Sequence, residues 1–330
     1  VFLQKKRRLE NWRGKGQRSL LMRPWLHLAR ISNLPTVWTN VTAAWLIAGG
    51  GLTDAKLFGL LLAGSLLYTG GMILNDAADA KFDREHRKER PIPSGQVNLR
   101  AAWSVSVVML LGGATLAALL GSSPRLTAFL VAAIVFYDLY HKEWSGSVLI
   151  MGACRTLLFL VAASAVKTDQ YVGSGLTLPL PGGERTLDLG VWSAGVFNAA
   201  PYAFGLGAYV VGITLAARLE HRKGKLPLLM TALSMGLLYV PALLCLKRFT
   251  TAYPDSWQLV ILAAFAILVA YATQTLRKGG PAIGSAVGML LAGISIVDAL
   301  AVSTVSVQVA LAFVAIAPLL RSWQRWVAAT

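Results

Sequence analysis

The stretch "LNDAADAKFDREHRKERPIPSG", Leu74 to Gly95, decides the reading of this chain. It follows directly on an apolar run and sets three aspartates ahead of a string of basic residues. Asp76, Asp79 and Asp83 are spaced i, i+3, i+7, so on a helix they lie within ~60° of one another. Carboxylates on one face repel, and the negative end of the helix dipole makes that repulsion worse. A bound cation explains the pattern. Mg²⁺ takes oxygen ligands, keeps several waters and bridges carboxylates to substrate phosphates. Arg87 and Arg90 follow at once, and guanidinium groups grip phosphate oxygens bidentately. Carboxylates, a hard cation and arginines together make a diphosphate site. The plainer reading is a solvated loop whose Asp and Arg side chains pair. That reading gives no reason for aspartates in helical register at the end of an apolar helix.

The surroundings are those of a membrane protein. Of 330 residues, 55% are hydrophobic and 14% are charged, against about a quarter charged in ordinary soluble domains. Apolar segments recur at 34–51, 56–78, 101–121, 125–141, 146–166, 197–217, 226–246, 257–276 and 282–304. Each is long enough, or nearly so, to cross a bilayer core. A shorter one covers 306–320. The expected fold is all-α, a multi-pass transmembrane helical bundle of about nine spans, because irregular backbone cannot face lipid. The expected organisation is a basic cytoplasmic segment over 1–33, the bundle over 34–325, and an extramembrane loop at about 167–196 rich in Gly, Pro and polar residues.

The net charge of +16 does not signal nucleic acid. It lies in a tail and in short loops between apolar segments, which is how membrane proteins carry cytoplasmic charge. Nine Lys and Arg precede residue 31; Lys81, Arg84, Arg87, Lys88, Arg90 and Arg100 fill one loop, and Arg218, Arg222, Lys223 and Lys225 another. Alternating the spans puts all of these on one side, expected to be cytoplasmic. The protein is expected in the inner membrane if bacterial. The first thirty residues hold no short apolar stretch with a small-residue cleavage site, so no cleaved leader is expected. Cys154 and Cys245 sit inside apolar runs without metal-ligand spacing and read as small buried residues.

With these residues in view, "NDAADAKFDREHRKERPIPSG" resembles the first signature of the UbiA superfamily of intramembrane prenyltransferases, N-D-x-x-D-x-x-x-D followed by R-P-x-x-S-G. "MRPWLHLARISNLPTVWTNV" is similar to that family's entry into its first helix. The D-D-x-x-D of soluble prenyl synthases and the D-G-x-x-A-R of CDP-alcohol phosphotransferases are both absent. The resemblance implies a bundle around a lipid-accessible central cavity. It implies Mg²⁺ held by two aspartate-rich motifs, and transfer of a polyprenyl group from its diphosphate to an aromatic or lipid acceptor with release of pyrophosphate. By position it assigns Asp76, Asp79 and Asp83 to metal, Asn75 beside them, and Arg87 and Arg90 to diphosphate.

The second motif departs from the family. Where D-x-x-x-D is usual, the chain reads "ITLAARLEHRKGKLPLL", with Ala216 on the first aspartate and Glu220 on the second. This departure is similar to that of the EboC-like branch. The catalytic and metal-binding set is expected to be Asp76, Asp79, Asp83 and Glu220, with Glu220 reaching a metal through water; the other expectation is that Arg218 or Arg222 replaces the second cation by touching phosphate directly. The alternative expectation is a degenerate, non-catalytic member that binds or moves a lipid-linked or aromatic metabolite.

Three further polar features lie in or near the spans. Lys142, in "FYDLYHKEWSG", is a point charge for phosphate or an interfacial anchor. Arg155 lies about ten residues into its span, and a charge that deep faces a cavity or a partner. Asp298 is the other deep charge, ~9 Å deeper than Arg155 on helical rise. Asn33, Thr36 and Asn40 stripe one face of the first span; they either line the acceptor pocket, with Asn40 on substrate, or hydrogen-bond between helices.

Overall fold

The computed structural model describes residues 22–142, 144, 146–167, 171–180, 183–218, 228–249 and 255–324. Residues 22–28 are helical and end in a turn. A short 3₁₀ turn, Ile31–Asn33, then leads into α1, Leu34–Ile47. There follow α2 (Ala55–Ala78), α3 (Ala80–His86), α4 (Leu99–Leu119), α5 (Pro124–Tyr140) and α6 (Ser147–Ser164). A two-stranded antiparallel hairpin comes next, β1 (Tyr171–Leu180) with β2 (Gly183–Ser193), inside the long Gly- and Pro-rich connection. The chain continues through α7 (Ala194–Arg218), α8 (Leu228–Leu238), α9 (Val240–Phe249), α10 (Ser256–Leu276), α11 (Pro281–Ala292), α12 (Ile294–Val302) and α13 (Val307–Trp323).

Local signals set the helix starts. Asp54 caps α2 by accepting from the Lys56 amide at 2.8 Å, and Asn98 caps α4 by accepting from the Arg100 amide at 2.8 Å. Ser123 caps α5, whose first residue is Pro124. Gly121 (φ +95°) takes the left-handed turn after α4 that residues with a Cβ avoid.

Each of the nine expected apolar segments is a helix or a helix pair, and the tenth is α13. Among the described residues six helices are long and apolar enough to cross a bilayer, or seven if α8 and α9, bent by 43°, count as one. α1 has 14 residues and rises only about 21 Å, short of the ~30 Å hydrocarbon core. The bundle has a clear inside. The span Ala282–Val302 is 83% buried, whereas Leu99–Leu119 and Ser256–Leu276 are each 28% buried. The central span packs protein on all sides, and the peripheral ones present Leu111, Leu119 and Ile267 outward to lipid.

Helices approach most closely where small residues meet. A Cβ on Gly152 of α6 would lie 2.5 Å from Val211 Cγ2 and 2.7 Å from the Gly207 carbonyl of α7. The second neighbour is backbone and cannot swing aside, as in small-xxx-small crossings of membrane helices. Gly152→Ala is expected to cost ~1–3 kcal/mol, seen as a lower unfolding midpoint in detergent. An unchanged midpoint would mean that the two helices can separate freely here.

Candidate active site

The motif loop folds back on itself. α2 ends at Asp79, which is both its C-cap and the N-cap of α3. Backbone bonds from Asp79 N to the Asn75 carbonyl and from Asp83 N to the Asp79 carbonyl, each 2.9 Å, carry the helical register across that break. Leu28, Ile73, Ala77, Ala80, Ile92, Val97 and Ala102 form a small apolar cluster beneath the loop. This cluster holds the polar residues in place and excludes water from their backs.

The three aspartates separate into two groups. Asp76 and Asp83 share one guanidinium nitrogen: Arg90 Nη1 donates to Asp76 Oδ1 at 3.1 Å and to Asp83 Oδ2 at 2.9 Å. Asp79 turns the other way, with Lys142 Nζ 2.7 Å from Oδ1 and His141 Nε2 3.7 Å from Oδ2. The ~60° offset expected on a helix becomes a division of partners. The Asp and Arg groups do pair, as the plain-loop reading requires. These pairs are not solvated, however: Asp76 and Asp79 are each 7% exposed and Asp83 1%. A plain surface loop does not bury three carboxylates, because burying charge is costly unless it is matched.

The other expected residues fall in varied places. Asn75 is buried and donates from Nδ2 to Asp138 Oδ1 at 3.1 Å. Arg87 caps α3, and its guanidinium makes no hydrogen bond or ion pair among the described residues. Lys142 also lies over the Phe82 ring, 3.9 Å from its centroid. Arg218 donates from Nη2 to Ser147 Oγ at 2.7 Å, tying the end of α7 to the start of α6. Glu220 and Arg222 lie outside the described residues. Ala216 is fully buried in the main apolar core.

Beneath the loop is a cavity of about 220 Å³. Its walls are apolar, from Leu67, Leu130, Ile134, Leu158, Ile213 and Ile294 among others, while Arg30, Tyr137, Asp138 and Arg155 bring charge and polarity to it. Asn40 does not line it. The expectation that Asn40 meets substrate is corrected: it is completely buried, its amide donates to both carboxylate oxygens of Asp298 at 2.7 Å, and its Oδ1 accepts from Arg155 Nη1 at 2.8 Å. Arg155 does line the cavity, as expected for a deep cation.

Arg30 was visible in sequence only as one basic residue among many. Its backbone is left-handed (φ 42°, ψ 50°), the one described non-glycine residue with positive φ. Such a conformation costs ~1–2 kcal/mol, and it is held where the guanidinium comes 3.6 Å from Asp76 Oδ1 and lines the cavity. No local sequence signal marks it.

The donor chemistry fits a hard cation. All the acidic groups offer oxygen, and two buried oxygens, Asp83 Oδ1 and Asp138 Oδ2, have no hydrogen-bond partner among the described residues. Among the described residues no three His, Cys, Asp or Glu side chains converge into a ready-made metal cage. Arg90 and Lys142 instead supply the positive charge that balances the carboxylates.

Comparison with known proteins decides the family. A model of the UbiA prenyltransferase family matches residues 35–224. The chain belongs to that family. The match covers the aspartate loop and the positions of Ala216 and Glu220. A relative from Metallosphaera sedula, a digeranylgeranylglyceryl phosphate synthase, is 33% identical over 142 residues, covering 42% of this chain and 50% of the relative. The chain spans about half the length of such relatives, or less. A UbiA homologue from Aeropyrum pernix superposes with a TM-score of 0.62 at 18% identity, covering 80% of this chain and 94% of that one. One from Archaeoglobus fulgidus, bound to GPP and Mg²⁺, superposes with a TM-score of 0.53 at 13% identity, covering 91% and 99%. At these identities the superpositions speak for the fold alone. UbiA-family membership and the run of long apolar helices make this an integral membrane protein.

Proposed function

We propose that this UbiA-family protein is a Mg²⁺-dependent intramembrane prenyltransferase. It would move a polyprenyl group from its diphosphate to an acceptor, aromatic by preference, and release pyrophosphate. The observation that carries the reading is the buried carboxylate–guanidinium cluster joined to an apolar cavity through Arg30, which lines the cavity and comes 3.6 Å from Asp76 Oδ1, with Asp83 Oδ1 unpartnered among the described residues. An isoprenoid tail needs apolar walls, and its diphosphate needs a charged mouth.

Asp76, Asp79 and Asp83, with Glu220 from the opposite loop, would hold Mg²⁺, which supplies charge neutralisation for a departing pyrophosphate. Arg30, Arg87, Arg90 and Lys142 bring positive charge to the same end, with Arg218 and Arg222 on the second-motif side. Fixed donors aimed at developing charge stabilise it without reorganisation. The C1–O bond of the donor breaks and its electron pair leaves with pyrophosphate. The allylic carbon is then attacked by the acceptor inside the cavity, away from water, and the proton on the attacked acceptor atom passes to the released pyrophosphate. The mouth faces the cytoplasm, on the strength of the Lys and Arg asymmetry of the loops.

Pyrophosphate release from polyprenyl diphosphates by the purified protein in lipid nanodiscs tests the reading. Release is expected only with Mg²⁺ and is expected to be lost in Asp76→Ala. Absence of release with every chain length and acceptor tried would overturn it.

The burial of Ala216 favours a second reading. Where the family carries a carboxylate, this chain has a methyl group inside its core. A member that binds prenyl diphosphate without turning it over would fit. Tight binding without release, switched to release by Ala216→Asp with Glu220→Asp, would establish that reading.

A further inference from the structure

From Ser256 to Thr330 the chain carries four cations, Arg277, Lys278, Arg321 and Arg325, and a single acid, Asp298. Asp298 is buried and already engaged by Thr39 and Asn40. Asp255, the acid before α10, is separated from Arg277 by a helix of 21 residues, about 31 Å. Arg277, Lys278 and Arg321 make no ion pair among the described residues. Arg325 lies outside them.

The fold gathers these cations at one corner. α11 and α12 together form the central span, so α10 and α13 run antiparallel to it and end on the same side. Arg277 and Lys278 are exposed in the turn between α10 and α11. Ser285 lies four residues beyond Pro281 on α11, ~6 Å along its axis. Arg321, near the end of α13, reaches it: Nη2 donates to Ser285 Oγ at 2.9 Å, and Nη1 donates to Gln324 Oε1 at 3.1 Å. A Cβ on Gly288 would lie 2.5 Å from Arg321 Nη1, so bare backbone gives the guanidinium its seat. Neutral oxygens thus orient Arg321 and leave its charge uncancelled. α13 also packs on the 3₁₀ turn Ile31–Asn33, which follows Arg30, so the corner is at the aspartate-loop end of the bundle. It is separate from the candidate active site: Val287 and Leu291 line the apolar cavity, and Ser285 and Arg321 do not.

The same helix ends expose Tyr271 of α10 and Leu319 and Trp323 of α13. Tyr and Trp beside Lys and Arg mark the membrane–water boundary. A soluble anion would answer the charge and leave these apolar groups unmatched. A lipid answers both, since an arginine fork grips a phosphate bidentately and basic pockets between membrane helices hold anionic headgroups.

We infer that this corner is a binding site for a phospholipid with an anionic headgroup. Arg321 takes the phosphate, Arg277 and Lys278 add charge, and the acyl chains lie along the outer faces of α10 and α13. The inference does not rest on prenyl transfer.

The test is native mass spectrometry of the full chain in mild detergent, titrated with dioleoyl phosphatidylglycerol or dioleoyl phosphatidylcholine. Wild type is expected to bind the first phosphatidylglycerol about twentyfold more tightly or better, roughly fivefold for each of at least two engaged cations. Replacing Arg277, Lys278 and Arg321 together by Gln is expected to abolish that preference. Replacing Arg84, Lys88 and Arg100 by Gln removes equal charge from exposed positions elsewhere and is expected to keep it. Equal binding of the two lipids, a preference that survives the first triple variant, or the same loss in the second would overturn the inference. So would displacement of the lipid by glycerol 3-phosphate, the headgroup chemistry without tails. If the first triple variant does not fold, photo-crosslinking from Ser322→p-benzoylphenylalanine decides. It must capture phosphatidylglycerol over phosphatidylcholine, and equal capture overturns the inference.

Discussion

Asp83→Asn is expected to cut pyrophosphate release by about 100-fold or more, the scale on which lost electrostatic stabilisation is felt in dry sites, while leaving the fold nearly intact. The two halves of that expectation have separate causes. Asn is close in shape to Asp, and its Oδ1 can still accept from Arg90, whose Nη1 now lies 2.9 Å from Asp83 Oδ2. The unfolding midpoint in detergent should therefore move little. The lost charge matters to the site because Asp83 is 1% exposed and one of its oxygens is unpartnered. Nearby water cannot replace a carboxylate there. Arg90→Ala should behave in the opposite way. It leaves two buried carboxylates, Asp76 and Asp83, without their shared donor. Breaking a buried pair from one side costs ~3–5 kcal/mol, so the midpoint should fall clearly and the KM for prenyl diphosphate should rise. Unchanged turnover in Asp83→Asn would remove this carboxylate from the chemistry.

The sequence made the aspartate loop legible because helical period and charge act over a few residues. Asp76 and Asp83 lie on one face, and Arg90 is near enough in the chain to reach both. The turn of Asp79 toward Lys142 was not legible. It depends on α5 ending beside α2, and on a helix break at Asp79 that no Gly or Pro announces. Arg30 carries no sequence signal for a related reason: a left-handed arginine is imposed by tertiary packing, not by its neighbours in sequence. The stripe of Asn33, Thr36 and Asn40 has the same spacing whether it faces a ligand or another helix. Only the arrival of Asp298, 258 residues later, settles it for Asn40. Arg155 and Asp298 differ in depth by ~9 Å on helical rise, and Asn40 bridges that offset.

Asp298→Leu is expected to destabilise the bundle by ~3–5 kcal/mol. Two effects compete for the cause. Asp298 accepts three hydrogen bonds, one from Thr39 and two from Asn40, and in membrane proteins such bonds average only ~0.6 kcal/mol each. Their loss accounts for about 2 kcal/mol. The remainder comes from Arg155, which keeps its charge inside the bundle after its distant counter-charge has gone. The two causes part in the double variant. If charge dominates, Arg155→Met with Asp298→Leu should recover most of the lost stability, because a long apolar side chain then replaces the unbalanced cation. If the hydrogen bonds dominate, the double variant should be no more stable than Asp298→Leu alone. Asp298→Asn, which keeps the shape and one acceptor oxygen but no charge, should fall between wild type and Asp298→Leu. Equilibrium unfolding in mixed micelles of sodium dodecyl sulfate and a mild detergent measures all three. A double variant as stable as wild type would mean that the bundle folds as well without this buried pair of charges as with it.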